Sequence, residues 1–215
     1  MKDIIFVGAG GFAKEVFGYI TADLHHGHLS GVRIKGFLDI SEDAYTAMGV
    51  ESVFLGSEAS YTIENDDVFL ITVGDVGLRE SVAKTLIEKG ALFYSFVHSS
   101  AYVDSSAQIG KGVVICPFCM VNAQAFIDDF SMLNIYASVA HDSKLGACSV
   151  LSPYATLNGN VHAGSKLFMS TRSTALPGVT IGDECVVSAG TIVSKDIGDG
   201  VLAFPKARTQ YMVQK

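Results

Sequence analysis

One histidine–acid pair in the chain has the residue types of a general base. His141 is followed directly by Asp142 within residues 139–144, which read Val-Ala-His-Asp-Ser-Lys. Imidazole titrates close to neutral pH and can take a proton from an attacking amine or hydroxyl, while a neighbouring carboxylate can orient the ring or raise its basicity. A solvated surface histidine without a catalytic role has the same spacing, so the pair alone leaves both interpretations open.

A glycine-rich turn near the start has the pattern of a phosphate-binding loop. Residues 4–7 form an apolar, strand-like run, residues 8–11 read Gly-Ala-Gly-Gly, and residues 12–20 have helical spacing. Glycines let the backbone approach a phosphate, and a helix N-terminus presents free N–H groups to it. The turn predicts a nucleotide site, with Asp39 at a second strand end contacting a ribose or base. A glycine turn in a scaffold domain is the equal alternative.

The four cysteines offer a third possible chemistry. Cys116 and Cys119 form a C-x-x-C pair, which alone is compatible with a redox site or with half of a zinc site. Cys148 and Cys185 stand apart and supply no second ligand pair. We therefore interpret the cysteines as packing residues and expect no metal ion.

Composition excludes several classes of protein. The chain has 215 residues, of which 49% are hydrophobic and 17% charged, and its mean hydropathy is +0.36. This apolar content excludes disorder. The sequence contains no run of 18 apolar residues, which argues against membrane insertion. A net charge of −7 without a basic run argues against nucleic acid as a partner. The first residues lack the features of a signal peptide, which predicts a cytoplasmic location.

The charge divides the chain into two parts. Residues 1–96 contain 14 acidic and 7 basic residues, whereas residues 97–215 contain 8 of each, so the net charge belongs to the first part. Strand-like runs at 4–7, 34–38, 53–55, 68–73 and 92–97 alternate with helical patterns at 12–20 and 78–89. This order predicts an α/β domain over residues 1–96, with a small parallel sheet and half of a Rossmann fold. One such half argues against binding of a full dinucleotide.

A six-residue repeat begins at Val97. Seventeen consecutive positions spaced by six, from Val97 to Val193, hold an aliphatic residue, Met or Ala. Period six fits neither an α-helix nor an alternating strand and marks a parallel β-helix, in which three hexapeptides close one coil. We therefore predict a β-helix over residues 97–198 and a C-terminal tail over residues 199–215.

The hexapeptide run, Asn134, the pair His141–Asp142 and the turn at residues 8–12 together resemble a known family. These features are similar to bacterial sugar acyltransferases of the sialic acid O-acetyltransferase type, which include N-acetyltransferases of nucleotide-linked 4-amino-4,6-dideoxy sugars. The resemblance covers about residues 1–208. It implies that the β-helix is left-handed, that the protein is a homotrimer, and that acetyl-CoA binds as co-substrate between adjacent β-helices. The first domain would hold the sugar nucleotide.

The resemblance also implies roles for individual residues. His141 would be the general base of a direct acetyl transfer, assisted by Asp142, and Asn134 would bind the sugar. The nucleotide-binding positions of the family correspond to Gly10, Gly11, Phe12, Asp39 and Gly74.

The expected acetyl-CoA contacts lie late in the repeat. Relatives bind CoA along Gly-Ala-Gly-like segments, of which one survives here as Ser-Ala-Gly at 188–190 and the other reads Ser-Thr-Arg at 170–172. We expect contacts at Thr171, Ala189 and Gly190. Arg172, Lys206 and Arg208 are either phosphate contacts or solvated surface bases.

Three other functions remain open at this stage. The same base would serve O-acetylation of a sugar hydroxyl, as in enzymes of sialic acid or surface polysaccharide. A non-catalytic solenoid binding module would explain the altered segment 170–172. An NAD-linked oxidoreductase has support only from residues 8–13.

Overall fold

A computed structural model describes residues 1–205 and shows an α/β part followed by a parallel β-helix. The first part has three parallel strands in the order β2-β1-β3, where β1 is Lys2–Val7, β2 is Val32–Leu38 and β3 is Asp67–Ile71. Residues 4–7 of the central strand are buried, as expected for a strand covered on both faces. The carboxyl ends of all three strands meet at one edge of the sheet.

Three helices flank this sheet: α1 (Gly11–His25), α2 (Glu42–Met48) and α3 (Val76–Glu88). Side chains satisfy the first N–H groups of two of them, because Ser41 accepts from the Ala44 amide and Asp75 accepts from the Leu78 amide. The start of α1 is different. Its N-cap is Gly10, and no side chain caps it.

The sequence prediction for this part is correct in order and imprecise at two strands. Residues 53–55 form only a bridge between Phe54 and Phe37, and helix α2 was not predicted. The predicted strand at 92–97 is split: Phe93 bridges to Phe69 in the small sheet, whereas residues 96–97 already belong to the β-helix. A continuous apolar run cannot reveal that its two ends pair with different sheets.

The β-helix is built from two-residue strands, six residues apart. They are β4 (Phe96–Val97), β5 (Tyr102–Val103), β6 (Gln108–Ile109), β7 (Val114–Ile115), β8 (Met120–Val121), β9 (Phe126–Ile127), β10 (Met132–Leu133), β11 (Ser138–Val139), β12 (Lys144–Leu145), β13 (Val150–Leu151), β14 (Thr156–Leu157), β15 (His162–Ala163), β16 (Phe168–Met169), β17 (Thr174–Ala175), β18 (Thr180–Ile181), β19 (Val186–Val187), β20 (Ile192–Val193) and β21 (Leu202–Ala203). From β4 to β20, where the strands recur every six residues, every third strand pairs in parallel, which gives three flat faces. Strand β21 starts ten residues after β20 and pairs with β19.

The second residue of each strand points inward, as the six-residue pattern predicts. From Ile115 to Val193 this inward column is buried. Val97 is 39% exposed because no coil lies beneath it. The fold class predicted from the repeat follows from this arrangement: each coil covers the apolar floor of the next.

The corners of the prism need left-handed backbone. Fourteen residues spaced by six, from Gly112 to Gly190, have φ between 54° and 77°. Only three of them are glycine, and the other eleven carry side chains that project outward in three columns. We call these columns the aromatic edge (residues 118, 136, 154, 172 and 190), the histidine edge (124, 142, 160 and 178) and the domain edge (112, 130, 148, 166 and 184).

The α/β part covers the domain edge and one flat face of the β-helix. Phe96, Val114, Met132 and Val150 are buried on that face, and each such side chain contributes about 1.5–3 kcal/mol of burial free energy. Arg79 of α3 is fully buried and donates to the Phe130 carbonyl oxygen over 3.0 Å. Burial lowers the pKa of its guanidinium to about 10.

Candidate active site

His141 and Asp142 form a hydrogen-bonded pair on the histidine edge. His141 Nδ1 lies 2.8 Å from Asp142 Oδ2, and the two side chains are 62% and 53% exposed. An ionised carboxylate only accepts hydrogen bonds, so Nδ1 carries the proton and Nε2 keeps its lone pair. Asp142 has φ of 61°, and this left-handed corner turns its carboxylate back toward the ring. The arrangement is that of an accessible base whose tautomer is fixed by its neighbour.

The imidazole rests on Gly159, one coil further along. A Cβ at Gly159 would lie 2.6 Å from His141 Nε2 and 2.7 Å from Cε1, so any side chain there would displace the imidazole. Gly159 therefore belongs to the candidate site, and the sequence prediction did not include it. The repeat gave a usable signal, because residue 159 follows 141 by one coil of 18 residues.

Asn134 lies on a different edge from His141. The two residues stand at opposite ends of strand β11, Asn134 at the corner of the aromatic edge and His141 at the histidine edge. Asn134 Oδ1 accepts from the Ile135 amide over 2.6 Å, and its side chain is half-buried. One copy of the chain does not bring the predicted sugar-binding residue to the predicted base.

The glycine turn lies at the carboxyl edge of the small sheet. Gly8 has φ of 101°, and a Cβ there would lie 2.9 Å from Val73 Cγ2, so only glycine fits between β1 and the end of β3. Gly10 and Gly11 open α1 and are exposed, while Phe12 is half-buried. Gly10 and Gly11 have nothing among the described residues within 4 Å of an added Cβ, which leaves their backbone accessible.

Asp39 binds the turn itself. Its two carboxylate oxygens accept from the amides of Ala9 (2.7 Å) and Ser41 (2.9 Å). A carboxylate has about four acceptor positions, so capacity remains for a hydroxyl group. A cavity of about 140 Å³ adjoins these groups, lined by Val7, Gly8, Leu38, Asp39, Ile40, Glu58, Val73, Leu78 and Val82.

Gly74 follows β3 and is exposed beside the same edge of the sheet. Arg79 Nε donates to the Val73 carbonyl oxygen over 2.9 Å, and the same guanidinium donates through Nη1 to Phe130 of the β-helix, so Arg79 links the loop to the β-helix. Between the loop and the late coils lies an apolar groove of about 450 Å³, lined by Gly74, Asp75, Val76, Phe168 and Val186.

Thr171, Ala189 and Gly190 lie together at the aromatic edge in the last coils. The Gly190 amide donates to the Thr171 carbonyl oxygen over 3.0 Å, and all three residues are exposed. Lys206 and Arg208 lie outside the described residues.

The cysteines occupy packing positions. All four are free and buried, and burial raises the pKa of the Cys119 thiol to about 12 and that of Cys116 well above its ordinary value. Within residues 1–205 there is no cluster of three metal-ligating side chains, and no helix has the length and apolar character of a membrane span.

Comparison with known proteins bears on both parts of the chain. A family model described as the PglD N-terminal domain matches residues 3–86. The solved structure of PerB from Caulobacter crescentus, in complex with CoA and GDP-perosamine, superposes with a TM-score of 0.80 at 28% identity, over 93% of this chain and 92% of that one. The chain is therefore similar, over most of its length, to hexapeptide-repeat sugar acetyltransferases. The predicted resemblance and the predicted fold class, a Rossmann-like part followed by a left-handed β-helix, are thereby confirmed.

Two further relatives agree with this fold. GDP-perosamine N-acetyltransferase of Escherichia coli O157:H7 is 24% identical over 151 residues, which span 70% of this chain and 62% of that protein, less than two thirds of its length. The acetyltransferase domain of PglB from Neisseria gonorrhoeae has a TM-score of 0.81 at 24% identity, over 93% of this chain and 95% of that domain. The second likeness concerns the fold alone.

Proposed function

We propose that the protein is an acetyl-CoA-dependent N-acetyltransferase that acts on the amino group of a nucleotide-linked 4-amino-4,6-dideoxy sugar. The observation that carries this proposal is the pair on the histidine edge: Asp142 Oδ2 lies 2.8 Å from His141 Nδ1, which leaves Nε2 as the ring nitrogen for proton transfer, and the His141 side chain is 62% exposed. The similarity to PerB, solved with CoA and GDP-perosamine, supports this donor and this class of acceptor.

The proposed reaction combines the transfer of an acetyl group with a proton transfer. Acetyl-CoA supplies an acetyl thioester when bound. His141 Nε2 takes a proton from the neutral sugar amine as the amine nitrogen bonds to the acetyl carbon. The bond between that carbon and the CoA sulfur breaks, and His141 returns the proton to the departing thiolate. Asp142 holds the ring and stabilises the imidazolium. Burial raises the thiol pKa of Cys116, Cys119 and Cys148, which makes them poor nucleophiles and supports direct transfer without an acyl-enzyme.

We also propose that the site forms between copies in a homotrimer. The flat face between the aromatic and histidine edges has no charged outward residue among its six described strands; these residues are Tyr102, Met120, Ser138, Thr156, Thr174 and Ile192. Packing of this face around a threefold axis brings the histidine edge of one copy to the aromatic edge of the next. Asn134 of one chain then meets His141 of a neighbour.

The remaining site residues follow the same division, with residues 1–96 for the sugar nucleotide, 97–198 for transfer and 199–215 as the tail. Gly10, Gly11, Phe12 and Gly74 present backbone to the sugar nucleotide, and Asp39 holds the glycine turn and has acceptor capacity for a ribose hydroxyl. Thr171, Ala189 and Gly190 contact acetyl-CoA. The cytoplasmic location stays a prediction.

The test measures release of the CoA thiol while GDP-, UDP- and dTDP-linked 4-amino sugars are offered in turn. We expect turnover with one of them and a loss of at least a hundredfold in His141→Ala, the usual scale of general-base catalysis. His162→Ala, at an exposed histidine one coil away on another face, is the matched control and should keep its activity. Full activity of His141→Ala would refute the assignment. Turnover only with a sugar hydroxyl would indicate O-acetylation, and absence of CoA binding in calorimetry would favour a binding module.

A further inference from the structure

The aromatic edge carries a continuous stack of flat side chains. The rings of Phe118 and Tyr136 have centroids 5.0 Å apart, and those of Tyr136 and Tyr154 lie 4.8 Å apart with 5° between their planes. The Arg172 guanidinium lies 4.8 Å from the Tyr154 ring centre. Since Tyr136 occupies one face of Tyr154, Arg172 covers the other face.

The stack follows the geometry of the coils. Residues 118, 136, 154 and 172 are each 18 apart, and all have left-handed backbone. Parallel strands are about 4.7–4.9 Å apart, so every coil adds one flat side chain at nearly the spacing seen between the ring centroids.

The stack ends at Arg172 because the next position is Gly190. Gly190 has φ of 69°, and no heavy atom of the described residues lies within 4 Å of where its Cβ would be. Within residues 1–205, the layer next to the outer face of the guanidinium therefore holds no side chain at position 190. A second flat group fits there without moving the backbone.

The surroundings favour a nucleobase attached to phosphate groups. Arg172 forms no ion pair within residues 1–205, and the corner segments 170–173 and 188–191 contain no acidic residue. A guanidinium is planar, always charged and weakly hydrated, and it stacks well on flat rings. Stacking of one base on a side chain is worth roughly tenfold to hundredfold in affinity.

We propose that the outer face of Arg172 binds the adenine ring of acetyl-CoA in the layer beside Gly190. The proposal rests on the proposed function, because it takes acetyl-CoA as the donor. In this proposal, Arg172 stacks on the adenine base of the co-substrate, and Tyr154 positions the guanidinium. We propose a separate place, at the carboxyl edge of the small sheet, for the base of the sugar nucleotide. Arg172 does not belong to that place, because it stacks on Tyr154 at the aromatic edge of the β-helix.

The test compares acetyl-CoA with acetyl-4′-phosphopantetheine, which has the same thioester and no adenosine. Arg172→Lys keeps the charge and removes the flat face. We expect its KM and Kd for acetyl-CoA to rise about tenfold, its kcat at saturation to stay unchanged, and its kcat/KM for acetyl-4′-phosphopantetheine to equal that of the unaltered protein. Arg172→Gln should weaken acetyl-CoA binding at least as much.

Two further variants separate stacking from a general loss of structure. Gly190→Asn fills the adjoining layer with a residue that accepts left-handed backbone, and it should weaken acetyl-CoA binding several-fold. Gly200→Asn is the matched control, because Gly200 also has left-handed backbone (φ 66°) and open space but stacks beyond Glu184 on the domain edge. It should bind acetyl-CoA normally. Tyr154→Phe should keep the affinity that Tyr154→Ala loses.

Several outcomes would overturn the proposal. An unchanged KM for acetyl-CoA in Arg172→Lys, or an equal loss with acetyl-4′-phosphopantetheine, would exclude base stacking. A loss of acetyl-CoA affinity confined to Arg172→Gln would indicate that Arg172 contacts a phosphate group. A higher KM for the sugar nucleotide alone would indicate that Arg172 binds the base of the sugar nucleotide. If the unaltered protein neither binds CoA nor releases it, the proposed function fails and this inference fails with it. If the unaltered protein turns over and the Arg172 variants have the same KM and Kd for acetyl-CoA, this inference is wrong and the proposed function stands.

Discussion

The imidazole of His141 lies on the backbone of Gly159, where an added Cβ would come within 2.6 Å of Nε2. The two residues are one coil apart, so the stacking of the coils sets the height of the ring above the surface. The residue at position 159 therefore determines whether the imidazole of His141 can keep this place while Asp142 contacts Nδ1.

Gly159→Ala should displace the imidazole with little effect on folding. Gly159 is not among the left-handed residues, so alanine suits its backbone, and the clash falls on a side chain that is 62% exposed. We expect kcat to fall at least tenfold, since a shift of about 1 Å at a reacting group can cost a hundredfold. Gly198→Ala, at a glycine with open space around it, is the control. Equal activity of both variants would contradict the placement of the base.

Asp142→Asn tests the carboxylate without changing the shape of the corner. Asparagine tolerates left-handed backbone, and its amide can still contact Nδ1, but it is neutral and can also stabilise the other tautomer. We expect kcat to fall about tenfold to a hundredfold, with a small change in the KM for acetyl-CoA. The exposed Asp43→Asn of helix α2 serves as the comparison. If Asp142→Asn kept full kcat, the pair would be a surface contact only.

Mixing two inactive variants tests whether the site forms between copies. His141→Ala and Asn134→Ala should each lose most activity alone. After subunit exchange in a trimer, about one quarter of the interfaces combine an intact His141 with an intact Asn134, so about a quarter of full activity should return. Recovery is measured by CoA release after co-refolding, alongside the mass of the assembly by ultracentrifugation. No recovery in a proven mixed trimer would place both residues within one chain's site.

Asp23 should make the joint between the two parts depend on pH. It is 4% exposed and accepts from the Ser99 amide (3.0 Å) and hydroxyl (2.6 Å). Burial raises the pKa of this carboxyl, but the two Ser99 hydrogen bonds together with nearby histidines lower it by more, so the net pKa lies below its ordinary value of 3.8. A lowered folded pKa adds stability above the ordinary value, and this stability is lost as pH falls through the folded pKa.

Asp23→Asn should therefore cost about 1–3 kcal/mol of unfolding free energy at pH 7. The cost should shrink below pH 3.8, where the carboxyl is protonated first in the unfolded chain and then, below its lowered pKa, in the folded protein. Urea unfolding at several pH values measures the difference. Asp66→Asn, an exposed carboxylate, should change little at any pH. A penalty for Asp23→Asn that is the same at pH 3 and pH 7 would show that its charge is irrelevant.

The sequence alone determined the architecture, because each local rule repeats. One inward aliphatic residue every six positions, from Val97 to Val193, is enough to predict a parallel β-helix. The strand and glycine turn before α1 predict the α/β part in the same local way. The proposed general base, His141, could also be predicted from the sequence, since its partner Asp142 is the next residue.

Only the tertiary structure decided which distant residues share a surface. Gly159 supports His141, and Arg172 completes a stack begun at Phe118, because neighbouring coils place residues 18 apart in contact. Asn134 and His141 are seven residues apart in sequence and lie on different edges, because one strand crosses a whole face between them. Sequence distance measures the path along the chain, whereas a site depends on how coils stack and which edges meet.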